Sequence, residues 1–431
     1  MTDLPAIAKE RGIRYFLIAF TDLFGVLRAK LVPASAIGAI AEEGAGFAGF
    51  ATWFDMSPAD PDVLAIPDPT SVIQLPWKPE VGWIASDLWM AGKLIEQTPR
   101  TVLRRLIGQA ETQGLEMRVG VEPEFFLIQP DGQAIADPAD RQAKPCYDQL
   151  TLMRRYDVIA EISDAMEMLG WSPYQNDHED ANGQYEMNWT YSSALVTADR
   201  HAFFKYMVRT VAERHGMRAT FMPKPFADLT GSGCHAHVSV WRGEENLFLG
   251  DDELGLSQVA RHFLGGILAH AQALCALTNP TVNSYKRINA PVTLSGATWS
   301  PSSVTWGANN RTHMVRVPGP GRIEYRLADG AANPYLLQAG LLAAGLDGLA
   351  RALDPGGRLD VNMYTDGDSL PGVRRLPLNL LDAIRAFEAC EPLRAALGGS
   401  FSASYAKLKY QEWDSYMRHL SQWERDMTLD T

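Results

Sequence analysis

The stretch Val119-Gly-Val-Glu-Pro-Glu-Phe-Phe-Leu-Ile128 is an apolar run that carries two carboxylates. Its composition predicts a buried strand, in which Glu122 and Glu124, two positions apart, lie on the same face. A solvated edge strand is the alternative, but the apolar residues Phe125 to Ile128 favour burial. Two carboxylates within an apolar strand require a compensating positive charge. We therefore expect a cation or basic side chains beside this strand.

A second acidic stretch, Asn176 to Trp189, contains the dipeptide Asn182-Gly183, which is a strong signal for a two-residue hairpin turn. Counting outward from that turn gives the pairs Ala181 with Gln184, Asp180 with Tyr185, and Glu179 with Glu186. Like charges directly opposite each other destabilise a sheet by roughly 0.2–1 kcal/mol unless a cation lies between them. The pattern predicts either a metal-binding pair or an exposed hairpin tip where water screens both charges.

Two further strand-like segments carry histidines and arginines. Cys234 to Trp241 follows the flexible turn Gly231-Ser-Gly233 and places His235, His237 and Ser239 on one face. Alternating histidines behind such a turn favour contacts with a ligand or a phosphate. In Gly321 to Arg326 the charged residues alternate and two more arginines precede them, giving the set Arg311, Arg316, Arg322, Glu324 and Arg326. A surface ladder of salt bridges explains this last pattern equally well.

Together these residues form an inventory of carboxylates with a minority of imidazole. Oxygen-rich ligand sets favour Mg²⁺ or Mn²⁺ over zinc. The sequence contains no GxxxxGK[ST] loop, so arginines and metal would have to hold a phosphate. From the residues alone, the sequence predicts a two-metal enzyme of phosphoryl transfer.

Composition excludes several other classes of protein. A chain of 431 residues with 46% hydrophobic and 21% charged residues is typical of a globular protein and not of a fibre, a disordered chain or a disulfide miniprotein. With 51 acidic against 39 basic residues, the net charge of -12 opposes nucleic acid and anionic membranes. No apolar stretch reaches the roughly 20 residues of a membrane span, and Met1 to Pro5 lacks the basic start of a signal peptide. Four dispersed cysteines without CxxC spacing favour a reducing, cytoplasmic location.

A change in the sequence pattern near residue 98 predicts two domains. Residues 1–98 contain short apolar runs and a hairpin signal at Thr21 to Gly25, which indicate a small sheet-forming domain. Residues 99–431 alternate strands with long helical patterns and predict a larger α+β domain that ends in a helical tail over Ser402 to Asp430. The longest predicted helices are Thr101–Gln113, Leu150–Leu169, Asp199–His215, Leu256–Leu277 and Pro334–Leu353.

These motifs resemble the glutamine synthetase family over nearly the whole chain and occur in the order of that family. The matching segments are Val121 to Phe126, Glu179 and Glu186 around Asn-Gly-Gln, Lys224 to Phe226, Thr230 to Ser239, Asn283 to Arg287, Asn310-Arg311, and Arg322 to Arg326. The resemblance implies an α+β fold with an N-terminal β-grasp domain and a catalytic domain whose curved antiparallel sheet is wrapped by helices. It also implies two stacked hexameric rings with active sites shared between subunits, and a C-terminal segment that reaches the opposite ring.

The resemblance also implies a role for each matching residue. ATP would be a substrate, with two or three Mg²⁺ or Mn²⁺ ions per site. One metal would be held by Glu124, Glu179 and Glu186, and the second by Glu122, His235 and Glu324. The nucleotide would contact His237, Ser239, Arg316 and Arg322, and Arg311 would meet the transferred phosphate. L-Glutamate would be held by Gly231, Arg287 and Arg326, beside Glu124 and His235, and the incoming amine by Asp62 of a neighbouring subunit. Either Asp62 or Asp177 would accept the proton of the amine.

The sequence departs from the family pattern near the amine. After Asn283 to Arg287 the chain runs Ile-Asn-Ala-Pro291, so the expected lid loop is shortened and lacks its glutamate. Thr230 replaces the usual asparagine, and Asp177 replaces a histidine. A larger amine pocket follows, and an alkylamine becomes a plausible substrate.

The branch that these details resemble most makes γ-glutamylmethylamide from glutamate, methylamine and ATP. Ammonia as the main substrate is the first alternative, and a non-catalytic structural relative is the second. The ligand types do not decide between Mg²⁺ and Mn²⁺. The sequence also leaves open whether Tyr364 is modified, as the matching tyrosine is in some relatives, or is an ordinary surface residue.

Overall fold

The structure, a computed structural model, describes residues 3–293 and 298–431 and has an α+β fold built on two sheets. The first sheet has the strand order β2-β1-β6-β4-β3, with β5 and β7 paired to β6. Its strands are β1 (Tyr15–Thr21), β2 (Leu27–Pro33), β3 (Ala45–Phe47), β4 (Val63–Pro67), β5 (Ile73–Gln74), β6 (Val81–Met90) and β7 (Lys93–Leu94). The predicted hairpin at Thr21 to Gly25 is confirmed, because β1 and β2 pair antiparallel across it.

The second sheet has the order β15-β16-β17-β13-β8-β10-β9, with β11 and β12 paired to β8 and β14 paired to β13. Among the described residues its neighbours are antiparallel apart from the pair β15 and β16. Its strands are β8 (Glu116–Ile128), β9 (Pro173–His178), β10 (Gln184–Trp189), β11 (Ser192–Ser193), β12 (Arg218–Thr220), β13 (Cys234–Arg242), β14 (Glu245–Asn246), β15 (Trp306–Gly307), β16 (Val315–Gly319) and β17 (Arg322–Tyr325).

Helices pack against both sheets and share one core with them. They are α1 (Leu4–Arg11), α2 (Ile37–Glu43), α3 (Pro99–Glu111), α4 (Gln149–Arg154), α5 (Tyr156–Met168), α6 (Ala194–Arg214), α7 (Gln258–Ala269), α8 (Ala271–Thr278), α9 (Ser284–Ile288), α10 (Pro334–Ala350), α11 (Leu380–Ala389), α12 (Glu391–Leu397), α13 (Gly399–Met417) and α14 (Gln422–Thr428). Most buried apolar residues from Leu4 to Leu408 form one continuous cluster, and Phe126, Ile128 and Ala181 form a second, small one. No helix among the described residues is long and apolar enough to cross a membrane.

Three of the predicted long helices were wrong in their continuity. Leu150–Leu169 is divided at Arg155, and Leu256–Leu277 is divided at His270, whose ring binds Asp347. The tail is likewise two helices, because Ser421 begins α14 with a reciprocal pair of hydrogen bonds to Glu424. Hydrophobic periodicity continued across each break, so only the cap and tertiary contacts mark it.

Candidate active site

A cavity of about 370 Å³ opens on the second sheet and brings together most of the residues predicted for the site. Those that line it are Glu122, Glu124, Asp177, Glu179, Glu186, His235, His237, Arg311, Arg316, Arg322, Glu324 and Arg326. They come from β8, β9, β10, β13, β16 and β17 and the loops beside them. Residues far apart in the chain therefore converge because six strands meet there.

Strand register explains the acidic cluster. Glu186 on β10 lies opposite Glu124 on β8 on one side and opposite Asp177 on β9 on the other. Glu122, two residues before Glu124 on β8, lies opposite His235 on β13. A row of carboxylates thus crosses three strands, and an imidazole lies next to it.

The predicted register of the acidic hairpin was wrong by two residues. Tyr185 pairs with His178, not with Asp180, so Glu186 faces Asp177 and not Glu179. The turn has four residues, Asp180 to Gly183, and is closed by a hydrogen bond from the Glu179 amide to the Gln184 carbonyl, 2.9 Å. A two-residue type I′ turn needs positive φ at both central residues, whereas Gly183 has φ 76° and Asn182 is not in that region. Because the shift is even, Glu179 keeps the predicted face and still lines the cavity.

Asp140 holds this turn from a neighbouring loop. Its buried carboxylate accepts hydrogen bonds from the Asn182 side chain and the Gly183 amide, each 2.7 Å. It also lies 2.7 Å from His178 Nε2, and the Pro145 carbonyl lies 2.7 Å from His178 Nδ1. The position of Glu179 is therefore fixed by a polar network outside the hairpin itself.

The two carboxylates of the hairpin are held in an environment that disfavours their charge. Burial, with Glu124 nearby, raises the pKa of Glu179 to about 8. Burial, with Glu122 and Glu179 nearby, raises the pKa of Glu186 well above its ordinary value. Without a cation the neutral form of each side chain is therefore favoured more strongly than in a free carboxyl group.

The carboxylates at the other end of the cluster, Glu122 and Glu324, have basic partners that stabilise their charge. Burial alone would raise the pKa of Glu122, but hydrogen bonds with His235 and His237 outweigh it and hold that pKa well below its usual range. The same balance, with Arg326 and His235 as the favourable partners, lowers the pKa of Glu324. Glu324 also accepts hydrogen bonds from Arg316 and Arg326.

The donor set fits hard divalent cations. Three groupings have ligand atoms within 4.8 Å of one another, and these are Glu122 with Glu186 and His235, Glu122 with His237 and Glu324, and Asp177 with Glu179 and Glu186. His235 Nε2 and His237 Nδ1 are buried and have no hydrogen-bond partner among the described residues. Uncompensated buried carboxylates and an unpartnered imidazole nitrogen are what an oxygen-rich Mg²⁺ or Mn²⁺ site provides.

Four predicted residues do not line the cavity. Arg287 lies behind its wall, where Nη1 donates to the Leu327 carbonyl, 2.8 Å. Gly231 packs against Arg287, since a Cβ there would lie 2.9 Å from Arg287 Cγ. Ser239, further along β13, accepts a hydrogen bond from the Trp241 indole, 2.8 Å. Asp62 is exposed in the loop before β4.

Several lining residues were missed by sequence reasoning, notably Cys146, Tyr147 and Trp299. Cys146 Sγ lies 4.0 Å from Glu179 Oε2, and the Trp299 indole donates to Asp180 Oδ2, 2.6 Å. Tyr147 and Trp299 have φ of 65° and 54°, a region that bulky residues rarely adopt. Neither segment has a hydrophobic periodicity that would single it out in the sequence. The strained backbone, seen only in the structure, is the feature that indicates a functional role for these residues. The shortened lid leads into residues 294–297, which lie outside the described residues.

Tyr364 lies next to the arginine side of the cavity. Its hydroxyl donates to the Arg311 carbonyl, 3.5 Å, and burial raises the pKa of this tyrosine. Whether it is modified stays an open prediction.

Comparison with known proteins agrees with this geometry. The family model described as "Glutamine synthetase, catalytic domain" matches residues 96–428. A "Glutamine synthetase" of Rhizobium leguminosarum bv. phaseoli is 62% identical over 432 residues, which cover 99% of both chains. A "Glutamate--methylamine ligase" of Methyloversatilis universalis is 41% identical and covers 100% of this chain and 99% of its own.

A solved structure described as "GmaS/ADP complex-Conformation 1" superposes with a TM-score of 0.97 and 64% sequence identity over 100% of both chains. The acidic cavity, the arginines that face it and the match along nearly the whole length have one common explanation. This chain belongs to the glutamine synthetase family of ATP-dependent ligases.

Proposed function

We propose that this protein joins methylamine to the γ-carboxylate of L-glutamate with ATP, giving γ-glutamylmethylamide, ADP and phosphate. The observation that carries the proposal is the position of Asp177, which lies opposite Glu186 and lines the same cavity. A carboxylate at the mouth of an acidic cavity attracts an alkylammonium ion. Support also comes from the GmaS structure at 64% identity and from the methylamine ligase at 41% identity.

The arginines bind the phosphate end of the reaction. A γ-carboxylate is a poor electrophile, so transfer of the γ-phosphoryl group of ATP to it must come first. Arg311 and Arg322 line the cavity and would neutralise the charge that develops on the phosphoryl oxygens. Bound Mg²⁺ or Mn²⁺, held by the carboxylates and by His235, would add Lewis-acid stabilisation of that charge.

The carboxylates serve the amine end. Methylammonium must lose a proton before its nitrogen can attack the γ-glutamyl phosphate. Asp177 lies on the cavity wall with Cys146 and Tyr147, and its Oδ2 accepts a hydrogen bond from Gln175, 2.6 Å. We assign proton acceptance to Asp177, with Asp62 of a neighbouring subunit as the second candidate. Arg326, which lines the cavity, would bind a carboxylate of glutamate, and Arg287 would support that wall from behind.

Steady-state phosphate release with glutamate and a panel of amines tests the substrate. We expect kcat/KM for methylamine to exceed that for ammonia, with ethylamine intermediate or lower. A preference for ammonia would show instead that the protein is a glutamine synthetase. The two relatives with that name, at 62% and 61% identity, favour this alternative. A third outcome is that no amine stimulates phosphate release and that a non-hydrolysable ATP analogue shows no Mg²⁺-dependent binding. The protein would then be a non-catalytic structural relative.

The variant Asp177→Asn tests the proton acceptor. It keeps the size of the side chain and removes the basic oxygen, so we expect a higher KM for methylamine or a lower kcat, with ATP and glutamate binding nearly unchanged. Asn176→Ser is the matched control, because Asn176 is on the opposite face of β9 and its side chain contacts Ser163. A folded Asp177→Asn enzyme with normal kcat/KM for methylamine would remove Asp177 from the mechanism.

The proposed assembly is a homo-oligomer of two stacked hexameric rings in the cytoplasm. Support comes from the C-terminal helices, whose apolar side chains are exposed, including Met417, Leu420, Trp423, Met427 and Leu429. A surface of this kind is typical of a subunit contact. Light scattering should give the mass of twelve subunits for the full chain and a smaller particle for a chain that ends at His419.

A further inference from the structure

A cysteine, a histidine and an aspartate form a hydrogen-bonded chain outside the carboxylate cavity. Cys390 Sγ lies 3.2 Å from His270 Nδ1, and His270 Nε2 lies 2.7 Å from Asp347 Oδ2. Cys390 lies between α11 and α12, His270 lies between α7 and α8, and Asp347 is on α10. Three separate elements therefore build an arrangement of nucleophile, base and orienting carboxylate.

Neighbouring residues hold this hydrogen-bonded triplet in place, and the cysteine residue is partly exposed. His270 is buried and Cys390 is half-buried. Asp347 is further held by Arg351 Nη1, 3.1 Å. Arg374 donates to the Leu268 carbonyl just before His270, and Arg394, Glu388 and Glu391 are the charged neighbours on the Cys390 side. The histidine thus has one fixed orientation, with the thiol at the outer end.

His270 can accept the Cys390 proton in this geometry, because its Nδ1 lies within hydrogen-bond distance of the sulfur. Burial alone would lower the pKa of His270, but the hydrogen bonds with Cys390 and Asp347 outweigh it and raise that pKa. An imidazolium between a thiolate and a carboxylate is stabilised on both sides. Burial raises the pKa of Cys146 and of Cys234 to about 12 and raises that of Cys275 as well. Cys234 lies 3.9 Å from His201, but burial lowers the pKa of that histidine and makes it a weak base.

We propose that Cys390 is a reactive thiol that forms mixed disulfides with low-molecular-weight disulfides. The Cys390 sulfur attacks one sulfur of the disulfide, a new S–S bond forms, and the original S–S bond breaks. The departing thiolate takes the electron pair of that bond and receives the proton that His270 took from Cys390. The protein gains one mixed disulfide and one free small thiol is released. Asp347 acts as a positioning residue, because it contacts only the histidine.

The unmodified full-length protein gives the first test. Glutathione disulfide is the probe, and peptide mass spectrometry measures the rate at each cysteine. We expect Cys390 to react at pH 7 at least about tenfold faster than Cys146, which is also half-buried but has the Glu179 carboxylate and no imidazole beside it. Rates at the two cysteines within about threefold of each other would overturn the proposal. This measurement needs no variant and does not depend on the proposed ligase activity.

Variants then test the base. His270→Asn should lower the Cys390 rate about tenfold at pH 7 and change the pH dependence of that rate, because the base is lost. His262→Asn is the matched control, because His262 lies on α7, the helix that ends just before His270, and its Nδ1 contacts the Leu353 carbonyl, 3.1 Å. Asp347→Asn should give a smaller decrease in rate. If the rate and its pH dependence are unchanged in His270→Asn, then Cys390, His270 and Asp347 only pack together and the proposal is wrong.

Discussion

At the scale of a single residue, Glu186 is a carboxylate buried among other carboxylates. Its side chain is 6% exposed, and it lies opposite both Glu124 and Asp177. Among the described residues, the Asn188 side chain donates a hydrogen bond to it, 2.9 Å. Such a group destabilises the metal-free fold, so its presence is explained by what it binds.

The variant Glu186→Gln separates these two effects. Removing the charge relieves the repulsion, so the free energy of unfolding without metal should rise by about 1 kcal/mol or more. Turnover should fall by about 10²-fold or more, because one ligand of the cation is lost. Thermal unfolding in chelator and phosphate release at saturating Mg²⁺ are the measurements. Substantial retained turnover would refute the metal-binding role of this residue.

Arg311 tests phosphate stabilisation. Its guanidinium is exposed to the cavity, and its carbonyl is held by Arg326 Nε, 3.2 Å. Arg311→Lys keeps the charge but loses the planar fork, so kcat should fall about 10²-fold while the Kd of an ATP analogue changes much less. Arg358→Lys is the control, since Arg358 pairs with Glu253 and Asp360 on the surface. Equal losses in kcat and affinity would place Arg311 in ground-state binding.

At the scale of elements, the β9–β10 hairpin depends on a contact from outside it. Asp140 binds the turn through Asn182 and Gly183 and binds β9 through His178. These partners are buried, so a donor or acceptor left unpaired there costs about 1–3 kcal/mol. The hairpin that carries Asp177, Glu179 and Glu186 is consequently positioned by the loop between β8 and α4.

Asp140→Asn should therefore affect stability and catalysis together. The amide cannot accept all three hydrogen bonds, so we expect a loss of about 2 kcal/mol in the free energy of unfolding and a lower affinity for Mg²⁺. Asp131→Asn in the same loop should change neither, because the hydrogen bond that Asp131 accepts among the described residues comes from the Gln133 amide at the surface. Denaturant unfolding and Mg²⁺ titration measure the two effects. Normal Mg²⁺ affinity in Asp140→Asn would show that the hairpin holds its own shape.

At the scale of the whole molecule, buried charges join the first sheet to the rest of the chain. Arg100, at the start of α3, forms ion pairs with Asp68 and Asp87 of the first sheet region and with Asp199 on α6. Tyr335 on α10 donates to the same Asp199, 2.7 Å. Together with the continuous core, this network makes the acidic cluster part of one continuously packed structure.

The stability of the whole molecule should therefore respond to pH and metal. Burial holds the pKa of Glu179 at about 8 in the folded state, above the ordinary value of 4.5. Between these values the folded protein retains a proton that the unfolded chain has lost, so stability decreases as pH rises. We expect the Tm in chelator to fall by roughly 2 °C or more from pH 5 to pH 8 and Mg²⁺ to remove that fall. The decrease in Tm should be smaller in Glu179→Gln. A Tm that does not change with pH in the unmodified protein would contradict the raised pKa of Glu179.

The sequence by itself determined the α+β class, the strands that carry the acidic, histidine and arginine residues, and the faces on which those residues lie. It could do so because side-chain direction alternates along a strand, and alternation is a local property. The tertiary structure alone decided the hairpin register, the breaks at Arg155 and His270, and the walls formed by Cys146, Tyr147 and Trp299. Each of these depends on contacts between distant segments, such as Asp140 with Gly183 and His270 with Asp347, and no local pattern encodes such contacts.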